Sequence, residues 1–307
     1  TAVVITSRGC FKKGCDFCTT PQFYPDGWIG RSVDHVSAEL ANIKNQGKKH
    51  VCFFDDNFFG MDDASLARGR QILETCKAIG LKCMIMTSVR QVIRADELGN
   101  FNDMAGTVTC AFIGVENPAR TSLKKLGKKT SYDENKAMSV RAIDALMHNE
   151  IMPYLGYLNF QPETTMEELR ESARFLHETN MEGAYFHYLF NRLELLEGTP
   201  LCSNYKSSDR IKIEPETGKI NYAFVDKKVA YYYAILNLIS NNARQLDYYI
   251  YEAGQLIFAN KLLKTPIGDE YLTLKRSINE FNYGIFMDTL IQIENEDSTG
   301  AIINIMD

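Results

Sequence analysis

Three cysteines near the start of the chain are the residues best suited to chemistry. Cys10, Cys15 and Cys18 fall within nine residues, in the run Cys10-Phe-Lys-Lys-Gly-Cys15-Asp-Phe-Cys18. Thiolates hold iron–sulfur clusters, and closely spaced cysteines on one loop can reach three irons of a cubane. Three ligands leave the fourth iron open to a substrate or cosubstrate. The spacing therefore favours a 4Fe–4S cluster with one open iron.

Zinc is the first alternative for these cysteines. A structural zinc site normally has four ligands, and the nearest further donors are Cys52, inside a predicted strand, and His35, on a predicted helix. Unligated thiols are the second alternative. The five other cysteines are scattered among apolar stretches, which is typical of buried thiols in a reducing cytosol rather than of a disulfide framework. We therefore expect a cytoplasmic protein.

The composition is that of an ordinary globular protein. The 307 residues carry a formal net charge of -5, which gives no footprint for nucleic-acid binding. No apolar run approaches the roughly 20 residues of a membrane-spanning helix, and we expect no secretory leader. Because Ala2-Val-Val-Ile5 resembles a buried strand, we expect the chain to be a piece, or a processed form, of a longer protein.

Short apolar runs alternate with amphipathic segments up to about residue 190. The predicted strands are 2–6, 50–55, 82–87, 107–115, 152–160 and 184–190. The predicted helices are 33–47, 64–79, 94–103, 119–126, 133–149 and 165–179. The last helix begins with a predicted capping box, Thr164 to Glu167, and Gly47, Gly80 and Gly183 are expected to end helices.

This alternation predicts an α/β protein whose parallel strands are joined by right-handed crossovers. Six units are too few for a closed barrel of eight strands, so a partial (β/α)6 TIM-like barrel is expected over residues 1–200. Residues 201–307 are predicted to form a mainly helical C-terminal extension that acts as a substrate or cap region. Within it, 226–262 is predicted to be helical, and 263–307 is predicted to be mixed, with a short strand at 301–305.

Polar residues follow several of the predicted strands, where active residues of such folds gather. Asp55, Asp56 and Asn57 end the second strand and need partners, because unpaired buried polar groups are costly. Arg90 follows the third strand and Glu116 ends the fourth. An arginine there is suited to binding a carboxylate in a bidentate manner. The alternatives are a turn or helix cap for residues 55–57 and a salt bridge between Arg90 and an acidic neighbour.

Five motifs resemble the radical S-adenosylmethionine superfamily, and more closely its cobalamin-binding branch. They cover roughly residues 1–201 and lie in order at the expected strand ends. The motifs are Ser7-Arg-Gly-Cys10 with Cys15-Asp-Phe-Cys18, Phe53-Phe-Asp-Asp-Asn-Phe58, Ile113-Gly-Val-Glu-Asn117, Tyr157-Leu-Asn-Phe-Gln-Pro-Glu-Thr-Thr165 and Glu197-Gly-Thr-Pro-Leu201. One departure concerns the loop path: four residues separate Cys10 from Cys15, where the family usually has three.

The resemblance implies roles for these residues. Residues 55–57 would receive the amino group of S-adenosylmethionine, Glu116 would accept its ribose hydroxyls, and Arg90 could hold its carboxylate. Phe17 matches an aromatic position near the adenine, or it only covers the cluster.

Asn159 and Gln161 end the fifth strand and are candidates for adenine or substrate contacts. His187 and Tyr188 of the sixth strand face the cavity or belong to the core. The tyrosines of 231–233 and 248–251 line a substrate surface or only pack the helices.

The resemblance also implies the reaction. A reduced cluster would cleave S-adenosylmethionine to a 5′-deoxyadenosyl radical, which abstracts hydrogen from an unactivated carbon of a small molecule or peptide. The expected outcome is cobalamin-dependent C-methylation, with an electron donor such as flavodoxin or ferredoxin. A cobalamin-binding domain is expected upstream of Thr1. The alternatives are a non-methylating or cobalamin-independent enzyme (cyclase, rearrangement or methylthiotransferase-like) and a non-catalytic zinc-binding module.

Overall fold

The computed structural model describes residues 1–12, 14–127, 130–180, 187–206, 209 and 211–295. The strands are β1 (Ala2–Val4), β2 (Ser7–Arg8), β3 (Ile29–Gly30), β4 (His50–Phe53), β5 (Lys82–Ser88), β6 (Val108–Glu116), β7 (Met152–Tyr157), β8 (Ile211–Ile213) and β9 (Ile220–Tyr222). The helices are α1 (Thr20–Phe23), α2 (Val33–Asn45), α3 (Asp63–Ala78), α4 (Val89–Glu97), α5 (Arg120–Lys125), α6 (Tyr132–His148), α7 (Met166–Glu178), α8 (His187–Phe190), α9 (Pro200–Tyr205), α10 (Lys227–Ala259) and α11 (Pro266–Asn295).

One parallel sheet of five strands organises the predicted barrel region. Its order is β1-β4-β5-β6-β7, so strands that follow one another in the alternating pattern are also neighbours. Each crossover between neighbouring strands carries helical segments, because parallel strands need a long connection, which is usually a helix. The expected α/β fold with a partial TIM-like sheet and a mainly helical C-terminal region is confirmed.

The sixth predicted strand is wrong where the structure describes it. Residues 187–190 form α8 instead, and residues 184–186 lie outside the described residues. A parallel bridge joins Phe160 to Arg192 just beyond that helix, with Leu193 N donating to the Phe160 carbonyl at 2.8 Å. A short apolar and aromatic run fits a buried strand and a buried helical turn equally well, so periodicity could not separate them.

Two further differences concern the predicted helices. The helix predicted at 94–103 is α4, which begins at Val89 directly after β5 and ends at Glu97. The region 263–307 is not mixed over its described part, because α11 is one helix of 30 residues. Gly47 and Gly80 follow their helices with positive φ, as expected, whereas Gly183 and the strand at 301–305 lie outside the described residues.

Two short antiparallel hairpins were not predicted. One pairs Ser7 with Gly30 and Arg8 with Ile29. The other pairs β8 with β9. Strands of two or three residues leave no alternating pattern that sequence reasoning can recognise.

The chain divides into two compact units that do not follow chain order. The first comprises Thr1–Glu116, Asp133–Gly156 and Glu252–Tyr271, and the second comprises Asn117–Tyr132, Tyr157–Tyr251 and Leu272–Asp307. The boundary near residue 200 stays a prediction. Within the described residues, no helix combines the length and apolar character needed to cross a membrane.

The amino-terminal edge of the sheet in the first unit is covered by the end of α10. Lys82 Nζ, at the start of β5, donates to the carbonyl of Ala259 at 2.7 Å. Near the start of β6, Thr109 Oγ1 lies 3.5 Å from Gln255 Oε1. The carboxyl ends of the strands lie at the opposite edge.

In the second unit, α7 begins with a capping box one residue later than predicted. Thr165 Oγ1 accepts from Glu168 N at 3.2 Å, and Glu168 Oε2 accepts from Thr165 N at 2.9 Å. The Glu168 carboxylate is buried and also binds Lys125 Nζ and the hydroxyls of Thr121 and Ser122. Burial raises the pKa of Glu168, but these hydrogen bonds and the Lys125 charge outweigh burial and hold the pKa below its ordinary value.

The capping box can be tested with matched substitutions in α7. Thr165→Ala should lower the free energy of unfolding by about 1 kcal/mol, as for other N-cap threonines. Glu168→Ala should cost about 2 kcal/mol, because it also leaves buried hydroxyl partners unpaired. The control Glu167→Ala removes an exposed ion pair with Arg170 and should cost less than about 0.5 kcal/mol. Urea denaturation measures all three, and a larger loss for Glu167→Ala than for Glu168→Ala would contradict the observed register.

Candidate active site

The three cysteines lie on one closed segment at the carboxyl edge of the sheet. The pairing of β2 with β3 brings residues 8 and 29 together. Residues 9–28 therefore form a long loop between two adjacent points, and we call this loop the cysteine segment. Cys10, Cys15 and Cys18 are half-buried and form no disulfide. By contrast, four of the five other cysteines are fully buried: Cys76, Cys83, Cys110 and Cys202.

The carboxylate of Asp56 joins Gly9 to Thr20, which lie on either side of the three cysteines in the cysteine segment. Gly9 N, directly before Cys10, donates to Asp56 Oδ2 at 2.9 Å. Thr20 Oγ1, two residues after Cys18, donates to Asp56 Oδ1 at 3.0 Å. One side chain therefore fixes the spacing between Gly9 and Thr20, and all three thiols lie between these two residues.

Asp55 anchors the chain just before that segment. Its Oδ1 accepts from the backbone N–H groups of Thr6 (2.6 Å) and Ser7 (2.8 Å), and its Oδ2 accepts from Thr6 Oγ1 (2.9 Å). The side chain is 2% exposed. Burial raises the pKa of Asp55 above its ordinary value, by more than these hydrogen bonds and the charge of Arg68 lower it.

Asn57 also holds the residues around the cysteine segment, through its backbone carbonyl and its side-chain amide. Its carbonyl accepts from Ser7 Oγ at 2.9 Å and from Trp28 Nε1 at 2.7 Å. Its side-chain Oδ1 accepts from Thr87 Oγ1 at 2.8 Å. These contacts, together with those of Asp55 and Asp56, give residues 55–57 a structural role in holding the cysteine segment. Their contact with an amino group stays a prediction.

Burial alternates along the strands, because successive side chains point to opposite faces of the sheet. One face is therefore buried and the other is half-buried. On β6, the residues from Phe112 to Glu116 alternate between half-buried and buried. The half-buried face includes Cys52, Met84, Met86, Phe112 and Tyr154, and the rings of Phe112 and Tyr154 lie 5.7 Å apart. Near the carboxyl edge this apolar face gives way to Gly114 and Gly156.

Glu116 ends β6 in a backbone conformation that L-residues seldom adopt. Its φ is 67°, in the left-handed region where a residue other than glycine is strained. Its carboxylate folds back over the strand, so a Cβ on Gly114 would lie 2.9 Å from Glu116 Oε1. Glycine at 114 thus leaves the space that this carboxylate occupies, at the strand end where ribose contacts were predicted.

Arg90 and Phe17 are both accessible in the first unit. Arg90 lies in the first turn of α4 and is exposed, so its guanidinium is open to a ligand. Phe17 is half-buried between Cys15 and Cys18. Their expected contacts with S-adenosylmethionine stay predictions.

Ser88 is a candidate that sequence reasoning missed. It ends β5 and precedes α4, but its side chain makes no capping hydrogen bond. Its hydroxyl oxygen is buried and has no hydrogen-bond partner among the described residues. Ser88 lies opposite Gly114 in the sheet register. The available signal was a hydroxyl residue between an apolar strand and the predicted Arg90.

Asn159 lies in the second unit, just beyond β7. Its Nδ2 donates to the Leu189 carbonyl at 2.5 Å, whereas its Oδ1 is buried without a partner among the described residues. Nε2 of Gln161 is in the same condition. Both side chains keep polar atoms for a further contact, in agreement with their predicted binding role, which stays a prediction.

The remaining aromatic candidates have mostly structural contacts. Tyr188 belongs to α8, not to a strand, and packs in the core against Tyr157 with ring centroids 6.4 Å apart. His187 begins that helix. Tyr232 is buried and donates to the Phe286 carbonyl at 2.8 Å, which is the helix-packing alternative. Tyr248 and Tyr249 are exposed.

The cysteine segment fits a cluster by the chemistry of its donors. Among the described residues, no three His, Cys, Asp or Glu side chains lie close enough to share a single metal ion. A cubane cluster instead binds each thiolate to a different iron, so its ligands need not converge on one point. Three cysteines outside any disulfide on one braced segment, with the unpartnered Ser88 hydroxyl in the same unit, fit a cluster and a polar cosubstrate.

The comparisons with known proteins agree with the motifs. No family model matches the chain. The chain is 25% identical over 231 residues to bacteriochlorophyllide d C-12(1)-methyltransferase of Chlorobaculum tepidum, covering 74% of this chain and 47% of that protein. It is 26% identical over 196 residues to 4′-phospho-dehydrooxetanocin synthase of Priestia megaterium, covering 57% of this chain and 25% of that protein.

Solved structures share the fold. The cobalamin-dependent S-adenosylmethionine radical enzyme OxsB, with aqua-cobalamin bound, superposes with a TM-score of 0.64 and 16% identity, covering 97% of this chain and 55% of that one. The radical S-adenosylmethionine methyltransferase TsrM from Kitasatospora setae gives a TM-score of 0.50 and 15% identity, covering 73% of this chain and 44% of that one.

These comparisons confirm the resemblance to radical S-adenosylmethionine enzymes of the cobalamin-dependent branch. The fold is that of OxsB, and the sequence relatives are members of the same superfamily. The chain spans about half the length of the first of these relatives and a quarter of the second.

The anchor at Asp55 can be tested through pH. Because the folded state favours the protonated carboxyl, its contribution to stability is present below the unfolded pKa and is lost as pH rises through the folded pKa. Asp55→Asn keeps an oxygen for the two backbone N–H groups and does not ionise. We therefore expect its free energy of unfolding to decline less than that of the wild type between about pH 4 and pH 7.

Asp55→Ala is the matched contrast, because it removes the acceptors and leaves the Thr6 and Ser7 N–H groups unpaired. It should lower the free energy of unfolding by about 2 kcal/mol at low pH, and by less as pH rises through the folded pKa of Asp55. Urea denaturation across the pH range measures both variants. Identical pH slopes for Asp55→Asn and the wild type would show that Asp55 does not titrate as described.

Proposed function

We propose that this chain is the catalytic part of a radical S-adenosylmethionine enzyme, with Cys10, Cys15 and Cys18 as ligands of a 4Fe–4S cluster. The observation that carries the proposal is the braced cysteine segment at the carboxyl edge of a parallel sheet. In such folds, active residues gather at that edge. The half-burial of the three cysteines, their absence from any disulfide and the Asp56 contacts to Gly9 and Thr20 support it.

A bound, reduced cluster supplies the electron for reductive cleavage of S-adenosylmethionine to a 5′-deoxyadenosyl radical. The chain's own residues hold and orient the reactants and exclude water. Asp55 and Asp56 fix the path of the cysteine segment. Phe17, between two of the ligands, covers the cluster from solvent on its side of the segment.

Polar groups in the first unit suit S-adenosylmethionine. The Ser88 hydroxyl is buried and unpartnered among the described residues, and the exposed Arg90 guanidinium suits a carboxylate. Glu116 is held at the end of β6 with its carboxylate over Gly114 and suits ribose hydroxyls. In the second unit, Asn159 offers its free Oδ1 to an amino group of the adenine or of the substrate.

The proposed reaction is cobalamin-dependent C-methylation. One sequence relative is a methyltransferase, and OxsB is cobalamin-dependent. The alternative is a non-methylating reaction, since the second sequence relative is a synthase. The cobalamin-binding domain expected upstream of Thr1, a small-molecule or peptide substrate, a flavodoxin or ferredoxin as electron donor, and a cytoplasmic location belong to the same proposal.

Cysteine replacement tests the cluster. After anaerobic reconstitution with iron and sulfide, the wild type should hold about four irons per chain and show a brown chromophore. Replacing Cys10, Cys15 or Cys18 by Ala should each abolish the chromophore. The control Cys76→Ala removes a buried thiol outside the segment and should keep it. A colourless wild type that retains one tightly held zinc would instead support the non-catalytic module.

Two assays then separate the reactions. Reduction of the reconstituted wild type with S-adenosylmethionine should release 5′-deoxyadenosine, measured by chromatography, and Ser88→Ala should weaken binding of S-adenosylmethionine by about tenfold. Addition of hydroxocobalamin to the full-length protein should produce a bound corrin spectrum if the enzyme uses cobalamin. The absence of a corrin spectrum, with 5′-deoxyadenosine still formed, would favour the cobalamin-independent alternative.

A further inference from the structure

Arg68, on α3, binds the backbone on both sides of the cysteine segment. Its Nη2 donates to the carbonyl of Thr6 at 2.5 Å, and its Nε donates to the carbonyl of Arg31 at 2.7 Å. Thr6 precedes β2 and Arg31 follows β3. One guanidinium therefore spans the two points where the chain enters and leaves the excursion that holds the three thiols.

The surroundings of Arg68 reinforce this bridge. Arg31 N also donates to the Thr6 carbonyl, at 2.8 Å, so two donors converge on one acceptor. The Trp28 ring lies over the guanidinium at 5.5 Å. A Cβ on Gly30 would lie 2.6 Å from the Trp28 ring and 2.8 Å from Arg68 Nε, so the hairpin packs directly against this side chain.

Stability alone does not account for a guanidinium at this place. Its Nη1 is buried and has no hydrogen-bond partner among the described residues, which is a cost that an apolar side chain would avoid. Burial lowers the pKa of Arg68, and the nearby charge of Asp55 partly offsets that effect. What an apolar residue could not supply is the planar fork that holds two carbonyls at a fixed separation.

We propose that Arg68 is a positioning residue for the cluster: it fixes the entry and exit of the cysteine segment and thereby the placement of Cys10, Cys15 and Cys18. This inference rests on the proposed function, because it presumes that these thiols bind the cluster. It assigns Arg68 no contact with the cluster or with S-adenosylmethionine. Its effect passes through the carbonyls of Thr6 and Arg31.

The same helix offers a matched control. Arg70, two residues further along α3, also donates to backbone carbonyls, those of Gly99, Asn100 and Asn102. That turn precedes β6 and contains no predicted ligand. Arg70→Met therefore removes the same kind of interaction from the same helix without touching the cysteine segment.

The test compares Arg68→Met, Arg68→Lys and Arg70→Met in the reconstituted full-length protein. Iron release to a chelator should be about tenfold faster for Arg68→Met than for the wild type, as for outer-shell partners of other metal sites. Arg68→Lys keeps the charge but lacks the fork, so its release rate should be intermediate. Arg70→Met should match the wild type. The reduced Arg68 variants should also show an altered electron paramagnetic resonance spectrum.

Hydrogen exchange of the cluster-free protein gives a second readout. Arg68→Met should speed exchange at 6–8 and 28–31, whereas Arg70→Met should speed it at 99–102. If Arg68→Met does not fold, the iron release, spectrum and hydrogen exchange of Arg68→Lys test the inference instead. Iron release, spectrum and exchange equal to those of the wild type in a folded Arg68 variant would overturn this inference alone. A wild type that assembles no cluster would overturn the proposed function instead.

Discussion

Two adjacent carboxylates at the end of β4 determine how the cysteine segment is held. Asp55 accepts three hydrogen bonds from Thr6 and Ser7, and Asp56 accepts one from Gly9 and one from Thr20. A segment of about twenty residues with almost no regular structure has a large conformational entropy to lose. The hydrogen bonds of Asp56 to Gly9 and Thr20 offset part of this entropy loss. The three cysteines between Gly9 and Thr20 can therefore remain half-buried.

This arrangement places negative charge beside a site proposed to bind an anionic cluster. Three thiolates near two carboxylates would repel one another in a partly buried environment. The Arg68 guanidinium opposes that repulsion, because its charge acts on Asp55. Electrostatic balance and loop geometry therefore depend on the same few residues, among them the half-buried Arg68 with its unpartnered Nη1.

The sequence predicted the parts of the fold whose signals are local. The apolar run of β6 and the capping residues of α7 can be read from neighbouring positions, although the cap was placed one residue early. The contact of Asp56 with Gly9 spans 47 residues, and nothing local specifies it. The helix α11 escaped prediction because Ile267, Leu274 and Phe281 are exposed apolar residues, which obscures the polar face that marks an amphipathic helix.

Several departures from local rules lie at the carboxyl edge of the sheet in the first unit. Glu116 has a left-handed backbone, and the Ser88 hydroxyl and one Arg68 nitrogen lack partners among the described residues. The opposite edge also has left-handed residues, at Asp103 before β6 and at Glu150 before β7. Two of its polar side chains are paired, however: Lys82 binds the Ala259 carbonyl, and Arg70 binds the turn before β6. Proteins concentrate local inconsistency where a ligand completes the structure. The unpartnered Ser88 hydroxyl and Arg68 nitrogen therefore support the proposal that a cofactor completes the edge that carries the cysteine segment.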